Sequence, residues 1–289
     1  RLIEACRDAD EIDPLSTLEK IPTVEDMRAD FADRDPQNVL FALHGDEMIA
    51  AISLSWWTEE DGTWLYLHLG RVVPQWRGLG TALLHWAEER IRGLAAEHPT
   101  KSKGVFGANA SSTEKTATEL LLNEGYRCVH INALMDFTDL SKLTEPHLPV
   151  KIERRSVRPD QRRLIWEAIA RFWAGTLWGA PVPSEEEYQE FLHQSDLDYT
   201  LWQVAWDQDQ PVGMVLGRVS NGCGYIDEVS VDSTYRRQGI AEALILYALA
   251  ALRERGVQRV RLHTDANNRH GARSLYEKIG FSVVKEFPR

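Results

Sequence analysis

The chain has few cysteines, no long apolar run and a shortage of positive charge. Its 289 residues include three cysteines, Cys6, Cys128 and Cys223. They lie far apart, with none of the short spacings that hold a metal ion or form a redox pair. Free thiols in a reduced, cytoplasmic setting, with no bound metal, are the expectation. No apolar stretch is long enough to cross a bilayer, so no membrane association is expected. The first residues, RLIEACRDADEID, are too charged for a secretory signal. Lys and Arg number 33 against 44 Asp and Glu, a net charge of -11. A nucleic-acid binder needs a basic face, so no nucleic-acid partner is expected. The same imbalance favours a cationic substrate, such as an amine, through long-range steering. Two common phosphate loops are absent as well. No Gly-Lys-Ser/Thr closes a glycine-rich loop, and there is no Gly-x-Gly-x-x-Gly.

What the chain does contain is an internal repeat of about half its length. In the first half, helices are expected over 2–9 and 23–31 and strands over 38–43, 48–54 and 63–73. A helix over 83–92 should stop at Gly93, and a strand over 104–108 is followed by a helix over 113–123 and closing strands within 126–138. A proline-bearing stretch, 141–149, reads as a linker. The order then begins again. Strands are expected at 150–154, 200–206, 212–219 and 224–231, and helices at 161–173, 184–193 and 241–255. A strand over 260–264, a helix over 269–278 and the start of a last strand at 281–285 complete it. Ser184, with Glu187 three residues on, has the form of a capping box. Arg77, Gly80 and Ala82 are matched by Arg236, Gly239 and Ala241, and Gly125-Tyr126 by Gly280-Phe281. The first unit has no strand before its opening helix, and the second ends before a final strand.

The stretch Tyr225 to Ala241, YIDEVSVDSTYRRQGIA, joins a strand to a helix N-terminus through a loop of small residues. Free backbone N–H groups and the helix dipole converge there, an arrangement suited to phosphate. The spacing Arg236-x-x-Gly239-x-Ala241, followed by Asn268, Ala272, Leu275-Tyr276 and Gly280-Phe281, resembles the GNAT acyltransferase superfamily. The whole chain looks like two tandem GNAT domains, an α/β (α+β) fold. Each would be a mixed, mostly antiparallel sheet flanked by helices, over residues 1–140 and 150–289. The layout is similar to that of mycothiol synthase, an amino-sugar acetyltransferase, although such enzymes place a glutamate where this chain has Tyr225.

The resemblance implies acetyl-CoA as co-substrate and a primary amine of a small molecule or peptide as acceptor, attacking directly in a ternary complex. Two strands should splay apart, with Val229 and Val231 offering backbone to the pantetheine arm and the Val229 N–H to the oxyanion. Arg236, Arg237, Gln238, Gly239, Ile240 and Ala241 would hold the pyrophosphate, Gly239 and Ala241 being small so that phosphate can approach the backbone. Asn268 would bond the pantetheine or cap its helix. Tyr276 would protonate the departing sulfur or merely pack. Asp227 and Glu228 are the candidate bases. Strand alternation puts Asp227 on the face of Val229, but a bulge would swap the faces. The aromatic stretch with Phe172, Trp173 and Trp178 is either an acceptor wall or core. In the first unit Tyr276 is replaced by Leu121, Asn268 by Thr113, Glu228 by Leu69 and Asp227 by His68. Leucine cannot donate a proton, so catalysis is expected in the second unit alone. The first unit's Arg77, Gly78, Gly80 and Ala82 form either a second coenzyme A loop or scaffold. A non-catalytic acyl-CoA sensor is the alternative of a different class. Oligomeric state is open.

Overall fold

The structure is a computed structural model. It describes residues 1–14, 16, 19, 22–32, 34–59, 62–98, 103–174, 184–192, 197–266 and 271–289. The chain divides into two compact units, residues 1–132 together with 285–289, and residues 133–284.

The first unit opens with helices α1 (Leu2–Arg7) and α2 (Val24–Ala32), followed by strands β1 (Val39–His44), β2 (Glu47–Thr58) and β3 (Trp64–Val72). Helix α3 (Gly80–Glu97), strand β4 (Gly104–Ala108) and helix α4 (Lys115–Asn123) complete it. The sheet order is β1-β2-β3-β4, antiparallel except for the parallel pair β3/β4. Buried Leu83, Ala87, Ile91 and Leu94 recur three or four residues apart along α3 and pack on Ile52, Leu54 and Tyr66. That stripe explains one departure from expectation. Gly93 does not end α3, because burying Leu94 outweighs the cost of about 1 kcal/mol for a glycine inside a helix.

The second unit contains β5 (Ile131–Phe137, from Ala133), β6 (Glu153–Arg155), α5 (Arg162–Trp173), α6 (Glu185–Leu192) and β7 (Gln203–Asp207). After these come β8 (Gln210–Ser220), β9 (Cys223–Val231), α7 (Ile240–Glu254), β10 (Val260–Asp265), α8 (Ala272–Ile279) and β11 (Ser282–Pro288, as far as Val284). Its sheet order is β11-β5-β10-β9-β8-β7-β6. Strand β5, expected from the sequence to close the first repeat, therefore lies inside this sheet and supplies the strand that the second repeat lacks. Asp136 on β5 fixes the placement: its carboxylate sits 2.8 Å from Arg261 Nε on β10, and both side chains are buried.

Alternation along the strands separates two cores. Val215, Ile226, Val260 and Leu262 face α7, whose Leu244, Ile245, Ala248, Leu249 and Leu252 are fully buried. Val204, Met214 and Leu216 face the other way, onto Ile165, Ala168 and Phe172 of α5. The capping box of α6 is formed, with Ser184 N–H donating to Glu187 at 2.6 Å and Glu187 N–H to Ser184 at 3.2 Å.

Candidate active site

Strand β9 is antiparallel to β8, with Val229 opposite Val215 and Glu228 opposite Leu216. The register then slips, so that Gly217 faces Ile226 and the strand register passes over Asp227. This is a bulge, and it gives the two candidate carboxylates different surroundings. Glu228 falls on the α5 face with its partner Leu216, and the indole Nε1 of Trp173, the last residue of α5, donates to its Oε1 at 2.8 Å. Asp227 is instead exposed and paired with Arg218 Nε at 2.7 Å. Arg218 also lies over the Tyr225 ring at 4.3 Å, the position where the resemblance called for a glutamate. Burial raises the pKa of Glu228 above the usual carboxylate range, against the opposing effect of the hydrogen bond from Trp173.

Strands β9 and β10 pair in parallel only as far as Ile226 and Leu262, although they run on to Val231 and Asp265. Beyond that point they part, and Val229 and Val231 lie on the segment that β10 no longer accompanies. Tyr276 approaches this region from the opposite face. It belongs to the core under α7 and α8, is 6% exposed, and packs edge-on against Phe281. Its hydroxyl has no hydrogen-bond partner among the described residues. Burial, and then the charge of Glu228, push its pKa well above that of a free phenol. The carboxylate and the phenol thus act on each other from opposite faces of the sheet, where β9 and β10 separate.

The loop that follows is built from left-handed backbone. Arg237 has φ 63° and Gly239 φ 83°, and α7 begins at once with Ile240. The first N–H groups of a helix have no partner within it, so those of Gly239, Ile240 and Ala241 are available to an anion. Gly239 is required for its left-handed conformation; a Cβ there would meet no atom of the chain within 4 Å. Arg236 departs from its expected part. Its guanidinium donates to the carbonyls of Val231 at 3.1 Å and Phe172 at 3.2 Å, tying the loop to the ends of β9 and α5. Gln238 reaches back to the Thr234 carbonyl at 3.5 Å. Asn268 and Trp178 lie outside the described residues. Of the expected wall, Phe172 is core and Trp173 is the partner of Glu228.

The equivalent loop of the first unit has a different geometry. Residues Pro74–Leu79 form a 3-10 helix that continues into α3, with Gly80 right-handed (φ -54°) and its N–H donating to Arg77 O. Neither Gly78 nor Gly80 has a positive φ. Arg77 is spent on Asp10 at 2.7 Å and Thr116 at 3.2 Å. Sequence reasoning missed the Trp173–Glu228 bond and the inward turn of Arg236. No spacing rule joins residues so far apart in the chain, and an aromatic beside prolines gives no hint of which carboxylate it meets.

The family model described as the acetyltransferase (GNAT) family matches residues 165–281. N-alpha-acetyltransferase 30 of Schizosaccharomyces pombe is 34% identical over 111 residues, which is 37% of this chain and 71% of that protein. A GCN5-related N-acetyltransferase from Sphaerobacter thermophilus, 28% identical, matches 100% of this chain and 89% of its own with a TM-score of 0.75. A tandem GNAT protein from the clavulanic acid biosynthesis pathway, at 13% identity, shares the fold over 99% of this chain and 93% of its own with a TM-score of 0.61. The chain belongs to the GNAT family of N-acetyltransferases and is an acyltransferase.

Proposed function

We propose that the second unit transfers an acetyl group from acetyl-CoA to a primary amine of a small molecule or a peptide N-terminus, by direct attack in a ternary complex. The observation that supports this reading is the placing of Glu228 and Tyr276 on opposite faces of the sheet whose strands β9 and β10 part beyond Ile226 and Leu262. Glu228, with a raised pKa, removes a proton from the incoming ammonium. The amine nitrogen attacks the thioester carbonyl, and the Val229 N–H donates to the oxyanion. As the C–S bond breaks, Tyr276, kept protonated by its surroundings, gives its proton to the sulfur, and the proton that the nitrogen sheds on becoming the amide restores the phenol. The main chain of Val229 and Val231 holds the pantetheine arm, and the N–H groups at 236–241 hold the pyrophosphate. Arg236 acts by shaping that loop rather than by charge. A peptide acceptor is supported by the likeness to an N-alpha-acetyltransferase. The first unit, with leucine at position 121 and a helical loop at 74–79, is not catalytic.

The test is release of free coenzyme A thiol from acetyl-CoA across a panel of small amines and peptides. Acceptor-dependent release that falls by about 10²-fold or more in Tyr276→Phe is expected. If wild type and variant both release thiol only at the rate of hydrolysis, the protein is a binder and the reading fails.

A further inference from the structure

The first unit contains a cavity of about 120 Å³ with apolar walls from Ile52, Leu83, Leu84, Leu120 and Leu121, and with His68 lining it. His68 is 5% exposed. Its Nε2 lies 2.9 Å from the Tyr126 hydroxyl, which donates to Glu88 Oε1 at 3.2 Å; Glu88 is held in turn by Arg92 at 2.9 Å. An ionised carboxylate can only accept, so the phenol proton points to Glu88 and the phenol oxygen accepts from His68 Nε2–H. This chain of bonds fixes the tautomer and leaves Nδ1 bare. Burial lowers the His68 pKa to about 4, so the ring is neutral near pH 7. Nδ1 has no hydrogen-bond partner among the described residues and is not sealed from the cavity.

The lining of the cavity also carries charge that is already matched. Asp10 lies 2.7 Å from Arg77 and 3.6 Å from Arg71, and Glu114 lies 3.1 Å from Arg71. Two arginines set against two carboxylates offer no net charge to an ionic ligand, and the helical loop at 74–79 offers no anion cradle. What remains is a space with apolar walls, lined also by Asn109 and Thr116, to which His68 offers an acceptor. A cavity of this order with apolar walls takes up small organic molecules. We propose that the cavity binds a small uncharged molecule with an apolar body and one donor, a short aliphatic alcohol or thiol, whose O–H or S–H donates to His68 Nδ1.

The experiment follows the imidazole nitrogens of the full chain by ¹⁵N-histidine NMR during titration with 1-butanol and 1-butanethiol. A saturable upfield shift of one bare nitrogen is expected, absent in His68→Leu. In Leu120→Trp, which fills the cavity but keeps His68, the shift should also vanish while the thermal melt stays cooperative. No saturable shift in wild type, or an unchanged one in Leu120→Trp, overturns the proposal. So does a shift that coenzyme A produces and the two probes do not.

Discussion

The indole Nε1 of Trp173 donates to Glu228 Oε1 across 2.8 Å, so the last side chain of one helix holds a carboxylate beside a strand bulge. The bond favours the charged form of a carboxyl that burial otherwise pushes toward neutrality. Trp173→Phe removes the donor while keeping most of the ring. The acid limb of kcat/KM should then move to higher pH by about one unit, since a hydrogen bond to a charged group is worth about 1.5–3 kcal/mol. An equal loss of activity at every pH, with the limb unmoved, would reduce Trp173 to packing.

Glu228→Gln should lower kcat by about 10²–10⁴ and abolish that limb. Its effect on stability has the opposite sign. A carboxyl whose folded pKa is raised favours folding when protonated, and that contribution is lost as pH rises through the folded pKa. At neutral pH the buried charge is therefore a cost, which glutamine removes. The variant should melt at or above the wild-type temperature near pH 7, with any advantage shrinking as pH falls. A lower melting temperature at neutral pH would contradict the assignment.

The two loops should respond differently to the same substitution. Gly239→Ala places a side chain at φ 83° and should cost about 1–2 kcal/mol in denaturant unfolding, together with weaker binding of acetyl-CoA. Gly78→Ala meets open space at a backbone angle outside the left-handed region, and should change stability by no more than about 0.5 kcal/mol. Equal effects at the two positions would mean that the loops share one geometry.

Asp136→Ala strands Arg261, whose side chain is 2% exposed, without its carboxylate. Removing one partner of a buried pair typically costs about 3–5 kcal/mol. A loss of that size in urea unfolding is expected, and one below about 1 kcal/mol would show that the pair does not hold β5 in its sheet.

Much of this was legible in the chain. The paired motifs at 77–82 and 236–241 announced the repeat, because a turn that needs small residues at set positions leaves a local mark. The Ser184–Glu187 box was readable for the same reason: both partners lie within one helical turn. The alternatives at Asp227 and Glu228 could be posed but not resolved. A bulge depends on how β9 registers against β8, and register is a relation between two strands. Gly93 misled because local propensity favours a stop there, whereas the burial of Leu94 that overrides it is a property of the packed core.

By itself the sequence determined the repeated strand-and-helix order, the loop chemistry with its glycine at 239, and the asymmetry that leaves leucine at 121 where the second unit has Tyr276. These are local features, set by backbone propensity and side-chain type over a few residues. Only the tertiary structure decided that β5 completes the second sheet, that Glu228 rather than Asp227 meets Trp173, that Arg236 turns inward, and that Arg77 is taken by Asp10. Each of these depends on contacts between residues distant in the chain, where burial and pairing outweigh the preferences that a short stretch of sequence expresses.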